Sequence, residues 1–239
     1  MKAHHCLTAD VIPFSWVDGP GNRFVLFMQG CNFNCIACHN PQTIPLQPPK
    51  AKMLSINEVI TRIKNSIPYI SGVTVSGGEA TIQFEFIEEL FKTIKLTPEL
   101  AHLTTFIDSN GNTPRPIWEL LAPVTDGVMV DLKVLDPVKH QALTGHTHES
   151  VLNSIKFLAA RGLLYEVRLL LIPGINDSDI ELRDTANYLL SIDPLMRLKI
   201  NAFKSHGVRA SARGWRDVCE DDCERYRNVL TQSGVVNLA

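Results

Sequence analysis

The sequence predicts an α/β fold: an open, partial barrel of six βα units, TIM-like and written (βα)6, in a single domain over 1–239. Two observations carry this. Six short apolar stretches of strand length alternate with stretches of helical periodicity, the pattern of βα units around a parallel sheet. The unusual polar clusters fall directly after the first four of those stretches, at the carboxyl ends of strands, where the reactive face of such barrels lies. Six units are too few to close an eight-stranded barrel, so an open one is expected.

Residues 1–22 show no helical periodicity and end in the turn-forming string Val17-Asp18-Gly19-Pro20-Gly21. The run 23–28, RFVLFM, reads as the first buried strand, with the cysteine-rich string GCNFNCIACHN directly behind it. Residues 41–52 hold four prolines and read as a surface connection. A first helix is signalled by the capping box of Ser55 and Glu58 and by the staple of Leu54 and Val59. Its apolar face runs through Ile56, Val59, Ile60, Ile63 and Ile67, and Pro68 stops it.

The strand 72–75 runs into Ser76-Gly77-Gly78-Glu79 and a helical pattern over 84–94. The strand 103–107 ends at Asp108-Ser109-Asn110-Gly111, ahead of a short helix over 116–121 that Pro116 opens. The strand 127–130 ends at Asp131-Leu132-Lys133, and a helix over 150–160 follows, with Gly162 just beyond it. The strand 164–172 is stopped by Pro173-Gly174; Asp177 or Ser178 caps a helix to about 191; and 197–202 is the sixth strand. A last helix over about 220–233 ends at Gly234.

Composition excludes several classes. The chain of 239 residues is 45% hydrophobic and 20% charged with a net charge of −2, ordinary for a globular protein. It has no run of basic residues, so nucleic acid is not indicated as a partner. No apolar stretch approaches the roughly 20 residues of a membrane span. We expect a soluble cytoplasmic monomer, its six cysteines reduced or metal-bound.

Cys31, Cys35 and Cys38 carry the chemistry. Thiolates hold iron-sulfur clusters, one cysteine to each iron of a four-iron cubane, so three leave one iron open to a small molecule. Two other patterns compete: a zinc site built from Cys35 and Cys38 with Cys219 and Cys223, and the C-x-x-C-H signature of covalent haem at 35–39, which would need export. Gly77 and Gly78 let backbone approach a ligand closely, with Glu79 beside them. Asp108 and Asp131 end neighbouring strands, each able to line a pocket or cap a turn. Lys133 faces the same way as Asp131 by strand alternation. Arg168 interrupts an apolar strand and needs an anionic partner. Lys204 and His206 follow the sixth strand.

Taken in order, CNFNCIAC, SGGE, DSNG, MVDLK and VRLLLIPG resemble the radical S-adenosylmethionine superfamily, over about 14–206. More narrowly, VDGPGNRFVLFMQGC and CHNPQT are similar to activating enzymes of glycyl radical enzymes, of the pyruvate formate-lyase activase type. VTVSGGEAT, LTGH and NAFKSHGV lie closest to the YjjW subgroup. The resemblance implies a 4Fe-4S cluster on Cys31, Cys35 and Cys38, with S-adenosylmethionine on the fourth iron. Gly77, Gly78 and Glu79 would contact its amino group, and Asp108, Lys133, Arg168 and His206 would line the rest. It implies reductive cleavage of S-adenosylmethionine and abstraction of a hydrogen from a backbone glycine of a partner glycyl radical enzyme, under anaerobic conditions. It also implies a monovalent cation, Na+ or K+, held by the carboxylates of Asp108 and Asp131 and the carbonyls of Ser109 and Met129. The chain departs from the family pattern twice. Segment 41–53 carries no cysteine-rich ferredoxin-like insertion, so electrons must come from an outside donor such as flavodoxin or ferredoxin; and Ala37 stands where an aromatic residue often packs on adenine. The alternatives are a radical enzyme acting on a small molecule, resembling the deazaguanine synthases, and a zinc-stabilised domain without catalysis.

Overall fold

The structure is a computed structural model in which residues 4–48 and 52–239 are described. The chain falls into two compact units. The first comprises Met1–Asn32 and Gln42–Met129, and the second Phe33–Pro41 and Val130–Ala239.

In the first unit, β2 (Arg23–Met28), β4 (Gly72–Gly77) and β5 (Thr104–Ser109) pair in parallel, as the sequence predicts. Two further strands lie at the β2 edge. β1 (His5–Ser15) pairs antiparallel with β2, and β3 (Lys52–Ser55) pairs antiparallel with β1. Neither is visible as a strand pattern in the sequence, and β3 falls at the end of the expected surface connection. The helices α1 (Ile56–Ser66), α2 (Phe84–Leu96) and α3 (Arg115–Leu121) sit where their patterns placed them. The capping box of α1 forms in full: Ser55 N–H donates to Glu58 Oε2 at 2.8 Å, and Glu58 N–H donates to Ser55 Oγ at 3.3 Å. Ile56, Val59 and Ile63 are buried, as are Phe86, Ile87, Leu90, Phe91 and Ile94 of α2, so apolar helix faces close over the sheet.

The base of this sheet is organised by a charge. Arg23 opens the first predicted strand and is fully buried. Its guanidinium donates to Thr74 Oγ1 at 3.0 Å, Thr104 Oγ1 at 2.6 Å, the Val73 carbonyl at 2.7 Å and the Pro20 carbonyl at 3.3 Å. It also lies 4.6 Å from the centre of the Phe106 ring. Such a cation survives burial because neutral oxygens and an aromatic face replace its water.

The division between units falls within β6 (Gly127–Leu132). The second unit continues with α4 (Pro137–Thr144), α5 (Glu149–Ala160), β7 (Leu164–Leu171), α6 (Asp179–Ile192), β8 (Arg197–Ala202), α7 (Glu220–Gln232) and β9 (Asn237–Leu238). β7, β8 and β9 pair in parallel. α4 and β9 were not read from the sequence. The caps of α4 are the usual ones: Asp136 Oδ1 accepts from Lys139 N–H at 2.8 Å, and left-handed Gly145 ends the helix. α6 is capped by Ser178 rather than Asp177, whose carboxylate instead receives Arg225 and Tyr226 of α7. No helix among the described residues is long and apolar enough to cross a membrane.

Candidate active site

In the first unit, the site is built where the loops behind β2, β4 and β5 meet. Behind β2 the chain turns at Gly30 (φ +101°), whose N–H donates to the Thr43 carbonyl at 2.8 Å, while Cys31 N–H donates to the Ile44 carbonyl at 3.1 Å. Behind β4, Gly78 N–H donates to the Met28 carbonyl at 3.0 Å and Glu79 N–H to the Gly30 carbonyl at 2.8 Å. The glycines are required by this contact. A Cβ on Gly77, whose φ is +122°, would stand 2.1 Å from the Met28 oxygen, and one on Gly78 would stand 2.2 Å from the Gly30 oxygen. The close approach read from the sequence as an approach to a ligand is thus, in the first place, an approach of one loop to another.

Glu79 is buried and fully engaged. Its Oε1 accepts from Thr81 N–H at 3.0 Å, Thr81 Oγ1 at 2.6 Å and Ser109 Oγ at 2.9 Å, and its Oε2 accepts from Asn110 N–H at 2.7 Å. Burial pushes its carboxyl up, against these four donors that favour the charged form. The carboxylate therefore ties the loop behind β4 to the loop behind β5. Asp108 is half-buried and accepts from Ser76 Oγ at 3.0 Å. Met129 is buried.

Asn110, whose role nothing in the string DSNG signals, bridges the loop behind β5 to the cysteine loop. Its Nδ2 donates to Asn32 Oδ1 at 2.8 Å and toward Cys31 Sγ at 3.8 Å.

Cys35 and Cys38 lie in the second unit. Asn34 N–H donates to the Thr144 carbonyl at 3.0 Å and Ile36 N–H to the Leu143 carbonyl at 2.9 Å, so the last turn of α4 carries this part of the loop. Phe33 is buried, its ring stacked on His146 at 5.4 Å and edge-on to His140 at 5.7 Å. From the segment behind β8, Arg209 donates to the carbonyl and Oδ1 of Asn34 at 3.1 and 2.6 Å. His39 Nε2 donates to the Lys204 carbonyl at 2.8 Å. LTGH and NAFKSHGV, quoted from the sequence only as a likeness, therefore hold the cysteine loop in place. That was legible only once the contacts were visible.

The remaining predicted residues are placed less uniformly. Lys133 Nζ donates to Asp131 Oδ2 at 2.6 Å, both side chains mostly buried. Arg168 has the anionic partner its burial required: its Nε donates to Glu166 Oε1 at 2.9 Å, and Arg197 Nε donates to Glu166 Oε2 at 3.0 Å. His206 is exposed.

The donor set fits an iron-sulfur cluster. Cys31, Cys35 and Cys38 form no disulfide and are half-buried, all in one loop, and burial pushes the Cys35 thiol up while the Lys133 ammonium favours its thiolate. No three His, Cys, Asp or Glu among the described residues converge on a single ion. A cubane does not ask for convergence, because each cysteine takes a different iron. The zinc alternative does ask for it, and one of its other two members, Cys219, is engaged elsewhere. Cys219 is exposed at the start of α7, its Sγ donating to Asp222 Oδ2 at 3.1 Å, and Cys223 lies one turn further on.

Comparison with known proteins agrees with this chemistry. The family model described as the radical SAM superfamily matches residues 25–186. The chain is 35% identical over 199 residues to a pyruvate formate-lyase-activating enzyme of Streptococcus mutans, covering 81% of this chain and 76% of that one. Among solved structures, a radical SAM methyltransferase from Sphaerobacter thermophilus superposes with a TM-score of 0.71 at 14% identity, over 96% of this chain and 67% of that one. A domain of a pyruvate-formate lyase-activating enzyme from Bacteroides vulgatus gives 0.58 at 20% identity, over 71% of this chain and 98% of that one. The expected fold class, α/β with a mostly parallel sheet of the partial-barrel kind, is the one these structures share with it. The chain belongs to the radical SAM superfamily, as an enzyme related to the pyruvate formate-lyase-activating enzymes.

Proposed function

We propose that this chain activates a glycyl radical enzyme, cleaving S-adenosylmethionine reductively and removing a hydrogen from a backbone glycine of that partner. The observation that carries the reading is its likeness to a pyruvate formate-lyase-activating enzyme along most of its length. A bound 4Fe-4S cluster and S-adenosylmethionine supply the one-electron chemistry, and the protein orients them and keeps competing reactions out. Cys31, Cys35 and Cys38 hold the cluster. The backbone of Gly77, Gly78 and Glu79 takes the methionine amino group, since the Glu79 carboxylate is committed to Thr81, Ser109 and Asn110. Asp108, Lys133, Arg168 and His206 line the remainder of the ligand. A monovalent cation, Na+ or K+, belongs to the reading at Asp108, Ser109, Met129 and Asp131. The Lys133 ammonium already neutralises Asp131 and is its competitor.

In this reading both compact units form one radical SAM domain over 1–239, supported by a family match that runs through residues of each. The protein works as a cytoplasmic monomer with an outside one-electron donor such as flavodoxin or ferredoxin. Its place in the YjjW subgroup rests on VTVSGGEAT, LTGH and NAFKSHGV.

The test is anaerobic reconstitution followed by incubation with reductant, S-adenosylmethionine and candidate glycyl radical enzymes. The expected result is one cluster per chain and a glycyl radical signal on the partner, both abolished by Cys35→Ser and unaffected by Cys219→Ser. Rapid turnover of a small heterocycle with no protein radical would overturn the assignment in favour of a small-molecule enzyme. Tight zinc with no absorbance near 400 nm would overturn it altogether.

A further inference from the structure

We propose that Asn110 is a positioning residue that sets the reduction potential of the cluster by donating an N–H···S hydrogen bond to Cys31. The proposal rests on the reading of Cys31 as a cluster ligand. Its evidence is a buried network whose polarity leaves no choice. Asn110 Oδ1 accepts from Asn112 N–H at 2.8 Å. A backbone N–H only donates, so the other end of this amide is the NH2 group. That group has two protons and two partners, Asn32 Oδ1 at 2.8 Å and Cys31 Sγ at 3.8 Å. Asn32 is oriented by the same logic, because its own Nδ2 donates to the Asn112 carbonyl at 2.7 Å, which turns its Oδ1 toward Asn110.

The backbone beneath is equally fixed. Asn110 N–H donates to Glu79 Oε2 at 2.7 Å, and Ser109 Oγ, which donates to Glu79 Oε1, accepts from Gly111 N–H at 3.0 Å. Thr81 Oγ1 spends its proton on Glu79, so its 2.6 Å contact with Thr113 Oγ1 is donated by Thr113. Asn110 is 7% exposed. Water therefore cannot readily replace the donor.

A donor aimed at a ligating thiolate withdraws charge from it. Reduction adds an electron to the cluster and makes the thiolates more basic, so the bond strengthens on reduction and the potential rises. Removing it lowers the potential. The expected effect is about tenfold in the one-electron equilibrium constant, or ~59 mV. Asn110→Asp keeps the shape and the oxygen facing Asn112 but turns an acceptor on Cys31, and Asn110→Ala removes the donor outright. Asn32→Ala removes a neighbour and leaves the donor to Cys31 in place.

The experiment is a redox titration of the anaerobically reconstituted protein, followed by the spectrum of the reduced cluster, with iron content and melting temperature measured on each variant. Both Asn110 variants are expected to keep the cluster at a lower potential, the aspartate lowest, with Asn32→Ala near wild type. Unchanged potentials in Asn110→Asp and Asn110→Ala would overturn the proposal and leave the function standing. An equal fall in Asn32→Ala would assign the effect to a loosened loop and overturn it too. A normal cluster in Cys31→Ser would refute the ligand assignment, and the proposal with it. Should neither Asn110 variant retain iron, the bond is read in the wild type as an exchangeable-proton coupling on the reduced cluster, together with a nitrogen coupling altered by 15N-asparagine. Absence of that coupling overturns it.

Discussion

Gly78 shows how a residue can be singled out for a sound reason and then prove to act first on something else. The pair of glycines behind β4 signals a close backbone approach, and the approach exists, but what comes close is the Gly30 carbonyl of the cysteine loop. Gly78→Ala should therefore destabilise the protein before any ligand is added, by roughly 1–3 kcal/mol for overpacking, read as a lower urea midpoint of the metal-free chain. A metal-free midpoint equal to wild type would return Gly78 to a role toward ligand alone. Glu79 was legible as a site carboxylate and illegible as a clamp, since its partners Ser109 and Asn110 lie about thirty positions away (|i−j| of 30 and 31) in an unconnected string. Arg23, at the head of an apolar run, shows no sign of its role in the sequence for the same reason. The oxygens that let it be buried belong to Thr74 and Thr104, on strands that only the fold brings beside it. Sequence thus names residue types suited to a site, while the pairing among them is a tertiary fact.

At the scale of elements, legibility followed the strength of local signals. α1 carried a capping box, a staple and a periodic apolar face, and it forms as read. Ser55→Ala should cost about 1 kcal/mol, measured by denaturant unfolding near neutral pH. The hydrogen bonds from Ser55 hold the Glu58 carboxyl below its usual range. A carboxyl whose folded pKa is depressed adds stability above its unfolded pKa and loses it as pH falls through the folded value. The stability gap between wild type and Glu58→Gln should accordingly close as pH drops below about 4. A gap that widens in acid would contradict the cap. β1 escaped because Pro13 and two register shifts against β2 break its alternation, leaving mixed burial along the strand. α4 escaped because its buried residues are His140, Leu143 and Thr144, so it has no apolar face to find, although Asp136 and Gly145 marked both of its ends. β9 has two residues and is below any pattern.

For the molecule as a whole, the sequence offered no linker or shift of composition, and it could not have offered one. The chain passes between its two compact units after Asn32, after Pro41 and after Met129, that is, inside the cysteine motif, at its far end and in the middle of a strand. Boundaries inside a motif and inside a strand are not marked by the Pro-, Gly- or polar-rich linker that usually separates domains. A ligand that binds only the folded protein stabilises it by about 2.7 kcal/mol at a hundredfold excess over its dissociation constant. For a chain of this size each kcal/mol is worth about 2–4 °C, so S-adenosylmethionine should raise the melting temperature of the cluster-loaded protein by roughly 5–10 °C. If Cys35 holds the cluster whose open iron receives the ligand, the rise should vanish in Cys35→Ser, and it should shrink in Asp108→Ala. If a monovalent cation shares the site, the wild-type rise will be larger in sodium or potassium than in a bulky ammonium salt of equal ionic strength, and Asp108→Ala will erase that difference. Equal shifts in all three salts would instead leave Asp131 to Lys133 alone, the pairing that the structure already holds at 2.6 Å.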